Sequence, residues 1–203
     1  MAVPQKVRRL SEAEYLELER AAEFKSEFYE GEVFAMAGGT RWHSLIATNL
    51  TAEFANRLRG GRYVAFNADL RLKVEAAGLF TYPDLSVVCG EQRFIDEGGD
   101  TLLNPTLIVE VLSESTEAYD RGKKFELYQQ IDSLREYLLV SQREPRIEQF
   151  LRQADESWVL RAAAGREATL LLPSPGITIS LANIYANVDF APTPIRPPAP
   201  PRR

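Results

Sequence analysis

Two acidic residues in the middle of the chain stand in contexts that favour metal chemistry. Asp84 follows Tyr82-Pro83 inside a strand-like run, and proline is confined to strand ends, edges and bulges because it cannot donate to the sheet ladder. Glu110 interrupts an aliphatic run, where an ionised carboxylate is costly unless it is paired or binds a metal. If the two strands are neighbours, both carboxylates converge on one point. With a backbone carbonyl and waters they would suit Mg²⁺, which activates water and stabilises a phosphoryl oxygen.

The pattern around Glu110 also permits a simpler interpretation. A single glutamate in a strand often lies on a solvent-facing side or pairs with an arginine, and spacing alone does not distinguish that case from a metal ligand. Both interpretations stay open at this point.

A helical segment after the Glu110 strand carries three further polar residues on one face. Asp120, Lys124 and Tyr128 stand at positions i, i+4 and i+8. In a functional interpretation Lys124 leans over the end of the Glu110 strand and orients the attacking water or offsets charge on a phosphate. In the alternative, Asp120 and Lys124 form an ordinary ion pair on a solvated helix face.

Composition narrows the chemistry further. The 203 residues include one cysteine, Cys89, and one histidine, His43, which excludes an internal disulfide, a multi-cysteine zinc site and any two-histidine metal site. Catalysis would therefore rest mainly on carboxylates, lysines and hydroxyls. The formal net charge of -5 argues against a histone-like DNA coat, so any DNA contact is expected to use a local basic groove.

Helix and turn signals place these residues on regular elements. A capping box at Ser11 predicts a helix over about residues 11–23, and Glu30-Gly31 predicts the turn of a hairpin. A break at Gly38-Gly39-Thr40 precedes a helix that Gly60-Gly61 ends.

The remaining chain is predominantly strand-like. We expect four strand-like runs in the middle, a polar loop between the Asp84 and Glu110 strands, and one amphipathic helix ending near Asp132-Ser133. A further strand, a three-stranded meander, and a last strand with a helical turn follow. Residues 1–190 are expected to form one domain with its core at about 41–141, and 191–203 a mobile proline-rich tail. No run is apolar enough for a membrane helix, and the simplest expected location is the cytoplasm.

Taken together, these residues resemble the Uma-type family of putative restriction endonucleases, placed in the PD-(D/E)XK nuclease superfamily. The resemblance covers about residues 10–185 and rests on five segments in family order. The segments are EFYEGEVFAMAGGTRWH, YPDLSVV, PTLIVEVLSEST, YDRGKKFELYQQI and SLREYLLV.

The resemblance implies an α/β (α+β) fold with a restriction-endonuclease-like core, in which helices flank a mixed central sheet. That core is a helix, three strands, a helix and a strand, from about residue 43 to 141, with an N-terminal helix-hairpin and a C-terminal β-rich extension. It also implies a Mg²⁺- or Mn²⁺-dependent nuclease that acts on DNA, with a homodimer as the natural form for duplex cleavage.

The resemblance also assigns roles to individual residues. Asp84 matches the "PD" acid and Glu110 the acid of the "(D/E)XK" element. In the nuclease hypothesis these two carboxylates bind the metal together with the Val111 main-chain carbonyl. The pattern departs at Leu112, where the superfamily has lysine; Lys124 on the next helix is expected to replace it, and Lys123 is the weaker candidate.

Secondary positions in the family pattern are acidic residues of the early hairpin and a histidine before the first core helix. Glu27, Glu32 and His43 occupy them, although hairpin ion pairs or a structural histidine explain these residues as well. Two other functions stay open: a nuclease-like module that binds nucleic acid or a protein without cleavage, and a carboxylate-pair hydrolase such as a glycosidase.

Overall fold

A computed structural model describes residues 9–36 and 38–190. The predicted proline-rich tail at 191–203 lies outside the described residues, so its mobility stays a prediction. Within the described part of the chain, no helix combines the length and the apolar character that a membrane span requires.

The N-terminal helix and hairpin form as predicted. Helix α1 (Glu12–Ala21) begins at Ser11, whose hydroxyl accepts the backbone N–H of Glu14 while the Glu14 carboxylate accepts the Ser11 N–H. Strands β1 (Ser26–Tyr29) and β2 (Glu32–Ala35) pair antiparallel. The two residues between them both have positive φ, which is the geometry of a type I′ turn.

The next helix covers one face of the main sheet. Helix α2 (Arg41–Leu58) begins at Thr40, whose hydroxyl accepts the backbone N–H of His43. Its buried apolar side chains recur at helical spacing, and they pack against the sheet together with the C-terminal segment. Those side chains are Ile46, Leu50, Phe54 and Leu58.

A six-stranded mixed sheet forms the centre of the molecule. In spatial order its strands are β11 (Trp158–Ala164), β10 (Arg146–Arg152), β9 (Glu136–Val140), β8 (Leu107–Val111), β6 (Leu85–Cys89) and β3 (Tyr63–Asn67). β8 and β9 are parallel, and every other neighbouring pair is antiparallel. The mixed sheet with flanking helices confirms the predicted fold class. Every residue of β8 is buried, as expected for a central strand.

A five-stranded sheet lies beside it. In spatial order it contains β2, β1, β5 (Leu79–Thr81), β4 (Arg71–Val74) and β7 (Thr101–Leu102). β7 falls within the segment predicted as an irregular loop and pairs parallel to β4, a long-range contact that local composition does not reveal. β5 and β6 are separated only by Tyr82-Pro83-Asp84, yet they belong to different sheets. Pro83 therefore marks the point where the chain changes sheet, a position between two ladders that needs no backbone donor.

The predicted single helix after β8 is two short helices. α3 (Glu117–Arg121) and α4 (Lys123–Tyr128) are separated by Gly122, whose φ of -112° and ψ of -100° are not helical. The regular helix also ends at Tyr128 rather than near Asp132. The apolar periodicity predicted the buried face correctly, but it did not predict the interruption of the helix at Gly122.

The C-terminal segment differs from the predicted meander. β12 (Thr169–Leu172) leaves the main sheet and pairs with β13 (Ile177–Ser180) in a separate hairpin, which the short helix α5 (Leu181–Ile184) follows. This unit packs on α2. The buried carboxylate of Glu53 joins the two, because it accepts hydrogen bonds from the Ser180 N–H and the Asn183 amide.

We expect Glu53→Ala to lower the free energy of unfolding by about 1.5–3 kcal/mol, because it removes charge-assisted hydrogen bonds that join the two segments. Urea unfolding followed by circular dichroism measures the change. Glu17→Ala on the exposed side of α1 is the matched control and should change stability by less than about 0.5 kcal/mol. An equal effect of both variants would show that Glu53 does not join the segments.

Candidate active site

A cleft of about 810 Å³ opens where the two sheets meet, and Asp84 and Glu110 lie in it. Asp84 comes directly before β6, and Glu110 is the next-to-last residue of β8. The antiparallel register pairs Leu85 with Val109, so the two acids stand across from each other at the same end of the two strands. The predicted convergence of Asp84 and Glu110 is therefore present in the structure.

Two groups hold the Asp84 carboxylate. Its Oδ2 accepts the backbone N–H of Val111 at 2.7 Å and lies 3.3 Å from Nε2 of His43. The hydrogen bond to Asp84 raises the pKa of His43; burial opposes the shift, and the charge of Asp84 and the backbone of Val111 add to it. His43 therefore carries positive charge more readily than a free histidine, next to a carboxylate.

Glu110 is a buried carboxylate with two donors. Its Oε1 lies 3.0 Å from Nζ of Lys124 and accepts the phenolic O–H of Tyr128 at 2.8 Å. Burial raises the pKa of Glu110 to about 8; Lys124 opposes the shift, whereas the charges of Asp120 and Asp84 add to it. The two donors thus only partly offset the effects of burial and of the nearby negative charges on the pKa of Glu110.

Lys124 stands among three carboxylates from three elements. Its Nζ lies 3.0 Å from Glu27 of β1, 3.0 Å from Glu110 of β8 and 3.6 Å from Asp120 of α3. Burial lowers the pKa of Lys124, but the carboxylates of Glu110, Glu27 and Asp120 outweigh it and hold the pKa well above the ordinary value. Lys124 is therefore charged. It is buried, so it does not form the ion pair with Asp120 on a solvated helix face that was the alternative interpretation of the sequence. Burial also raises the pKa of Asp120, and the positive charge of Lys124 partly opposes this shift.

The two lysine candidates are separated by their surroundings. Lys124 is 5% exposed and reaches the acidic cluster, whereas the Lys123 side chain is 52% exposed and lies 3.6 Å from Glu126 on the surface.

The two glutamates of the early hairpin also differ in whether they reach the acidic cluster. Glu27 contacts Lys124, but Glu32 is exposed and lies 3.7 Å from Arg9. Glu32 is thus outside the cluster.

Several lining residues were not identified from the sequence. Tyr29, Phe34, Met36, Tyr82 and Tyr119 border the cleft. The register of the β1–β2 hairpin, which the Glu30-Gly31 turn fixes, could have revealed Phe34, because it pairs Phe34 with Glu27. Tyr119 occupies the position before Asp120 on a short helix, and no spacing rule points to it.

The donor set fits a hard divalent cation. Asp84 and Glu110 offer carboxylate oxygens, which Mg²⁺ prefers, and Mg²⁺ typically uses one or two carboxylates and retains waters. The raised pKa values of Glu110 and Asp120 reflect burial together with surplus negative charge that a cation would offset. In the described part of the chain, no group of three or more histidine, cysteine, aspartate or glutamate side chains is arranged to hold a metal. Any ion here would therefore depend on two side chains, backbone and water.

The expected basic groove does not lie in the cleft. Among the described residues that line it, the cationic side chains are Lys124 and His43, and both already contact carboxylates. The lining includes Glu27, Asp84, Glu110, Glu114 and Asp120. The interior of the cleft is therefore acidic.

Comparison with known proteins places the chain in a family. A family model described as Uma2, putative restriction endonuclease, matches residues 12–182. The uncharacterized proteins slr1290 and sll1609 of Synechocystis sp. (strain ATCC 27184 / PCC 6803 / Kazusa) are 36% and 35% identical to the chain. The first match covers 90% of this chain and 94% of the relative, and the second 79% and 91%.

A solved structure shares the fold. The crystal structure of a putative nuclease belonging to DUF820 from Anabaena variabilis ATCC 29413 superposes with a TM-score of 0.70 and 19% identity, covering 87% of this chain and 98% of that one. The match in fold agrees with the restriction-endonuclease-like architecture expected from the sequence. With the family model spanning nearly all of the described residues, the chain belongs to the Uma2 family of putative restriction endonucleases.

Proposed function

We propose that the protein is a divalent-metal-dependent endonuclease that hydrolyses DNA phosphodiester bonds, with Mg²⁺ or Mn²⁺ held by Asp84, Glu110 and the Val111 carbonyl. The family supports a nuclease in general terms. The proposal of metal-dependent cleavage rests on one observation. The side chains of Asp84, Glu110 and Lys124 lie in one cleft, although they come from three separate elements.

Each residue has a distinct task in this proposal. The ion, when bound, supplies Lewis-acid activation of water and charge stabilisation at the phosphate. The Val111 N–H and His43 fix the orientation of Asp84. Tyr128 and Lys124 do the same for Glu110.

Lys124 is the residue that acts on the substrate side. Its ammonium group orients the attacking water and offsets the charge that develops on the phosphate oxygens. Glu27 and Asp120 hold the ammonium in place, and their charge keeps it protonated. In the net reaction a water oxygen bonds to phosphorus and loses a proton, the bond to the leaving oxygen breaks, and the leaving oxygen gains a proton, so that charge and protons balance.

The acidic interior of the cleft favours a second candidate function. A nuclease-like module that binds nucleic acid or a protein without cutting would tolerate Leu112 at the position where the superfamily pattern has lysine. Measurable DNA binding at saturating Mg²⁺ and Mn²⁺, without cleavage of any DNA, would select this function over the endonuclease.

We expect Asp84→Asn, Glu110→Gln and Lys124→Met each to reduce Mg²⁺-dependent DNA cleavage at least about 100-fold, because each removes a charge that acts on the transition state. Cleavage of labelled oligonucleotides measures the loss, and circular dichroism checks folding. Lys123→Met is the matched control, since this neighbouring lysine lies on the surface, and it should retain activity. Full activity in both Asp84→Asn and Glu110→Gln would refute the assigned centre.

The acidic cluster also predicts a pH dependence of stability without metal. The pKa of Glu110 rises on folding from 4.5 to about 8, so the folded protein retains a proton that the unfolded chain has released. In EDTA, the free energy of unfolding should therefore fall as the pH rises from about 5 to about 8. His43 and Asp120 shift in the same direction.

Urea unfolding at pH 5 and pH 8 tests this expectation. Glu110→Gln cannot ionise and should show a smaller loss of stability across the range than the parent protein. Glu126→Gln, at an exposed position of α4, should show the same loss as the parent. An identical loss in Glu110→Gln and the parent would contradict the assignment of the shift to Glu110.

Metal binding can be measured apart from activity. We expect Mg²⁺ to raise the melting temperature at pH 8, because an ion that binds the folded state stabilises it by mass action. Asp84→Asn and Glu110→Gln should reduce the shift, and Lys123→Met should not. Equal shifts in all four proteins would mean that Mg²⁺ binds elsewhere.

A further inference from the structure

An exposed aromatic ring stands beside the acidic cluster. Phe34 of β2 pairs directly with Glu27 of β1, and opposite residues of an antiparallel pair share one face of the hairpin. Because Glu27 lies 3.0 Å from Nζ of Lys124, the same face of the hairpin presents Phe34 to the cleft. The Phe34 residue is 49% exposed.

This ring is not part of the hydrophobic core. The opposite face of the hairpin buries Phe28 against Tyr15 and Phe80. None of the ring–ring contacts among the described residues involves Phe34. Met36, which is 38% exposed, extends the same apolar wall along the cleft. The wall is thus a partly exposed apolar surface next to charged groups, and it belongs to none of the buried apolar clusters of the described residues.

The charges in the cleft limit how a nucleic acid can bind there. Duplex binding depends on lysine and arginine side chains that neutralise successive phosphates. Lys124 and His43 are already in ion pairs with carboxylates, so they offer little to a run of phosphates. Beyond the one phosphodiester that a bound cation would neutralise, affinity inside the cleft must then come from contacts with the bases.

We propose that the cleft binds an unpaired nucleotide of single-stranded DNA, with its base stacked on Phe34 beside Met36 and its phosphodiester at Asp84 and Glu110. This inference rests on the proposed endonuclease function and names its substrate class. Aromatic rings stack on any base, and the cost of freeing a base is least in a strand that is already single. The cleft volume of about 810 Å³ lies in the range of sites that enclose small ligands.

Cleavage of matched substrates tests the substrate class. One labelled oligonucleotide is offered with Mg²⁺ either as a single strand or annealed to its complement. We expect the parent protein to cleave the single strand with the higher kcat/KM. Phe34→Ala should lower kcat/KM for the single strand about tenfold, mainly through KM, since stacking is the lost contact.

Val33→Ala is the matched control for Phe34→Ala. Val33 is the adjacent residue of β2, is 46% exposed, and points to the opposite face of the hairpin. It should leave kcat/KM unchanged. Equal or faster cleavage of the duplex, together with full activity of Phe34→Ala, would overturn the inference and leave the endonuclease function intact.

A binding measurement tests base stacking on Phe34 separately from endonuclease activity. Glu110→Gln serves as the inactive background, and the probe is a single strand that contains 2-aminopurine, whose fluorescence is quenched when the base stacks. We expect quenching in this background, loss of quenching when Phe34→Ala is added, and no loss when Val33→Ala is added. Quenching that survives Phe34→Ala would overturn the stacking site. Phe34-dependent quenching in a protein whose parent cuts no DNA would uphold the stacking site and overturn the endonuclease function.

Discussion

The ammonium group of Lys124 is buried among three carboxylates, with only 5% of the residue exposed. Removing such a charge from water costs several kcal/mol, so the position persists only because carboxylates surround it. Those carboxylates come from the first hairpin, the central strand β8 and the short helix α3. Each element must be in place before Lys124 is stable, and the ion cluster therefore fixes how hairpin, sheet and helices sit relative to one another.

The change of sheet at Pro83 completes this arrangement. Only three residues separate β5 from β6, but the strands lie in different sheets, and Asp84 stands at the start of the second. A proline can end one ladder without leaving a donor unpaired. The cleft thus opens at the junction, where Asp84 of one sheet faces Glu110 and where Glu27 approaches from the other.

The convergence of Asp84, Glu110 and Lys124 could be predicted from the sequence because each residue stands in a recognisable local pattern. A proline within a strand pattern, a carboxylate in an aliphatic run and a lysine at helical spacing from Asp120 all stand out without knowledge of the fold. Long-range pairing decides β7 and the β12–β13 hairpin, so the local sequence did not predict them. The break at Gly122 was missed for another reason, because the apolar periodicity continues through that glycine. The choice between Glu27 and Glu32 depended on which one meets Lys124, a contact between residues about a hundred positions apart.

Acidic residues outnumber basic residues in the whole chain, and they also predominate in the lining of the cleft. In the proposed function, the carboxylates that hold Lys124 would also attract a divalent cation, and the same charge would repel a phosphate that arrives without one. Cation binding should therefore precede or accompany substrate binding, because only then does the cleft become neutral enough for a phosphodiester. Lys124 alone cannot provide that neutralisation, since Glu27, Glu110 and Asp120 already share its charge. The proposed function therefore treats the buried lysine as part of a cation-dependent centre rather than as a phosphate-binding group acting by itself.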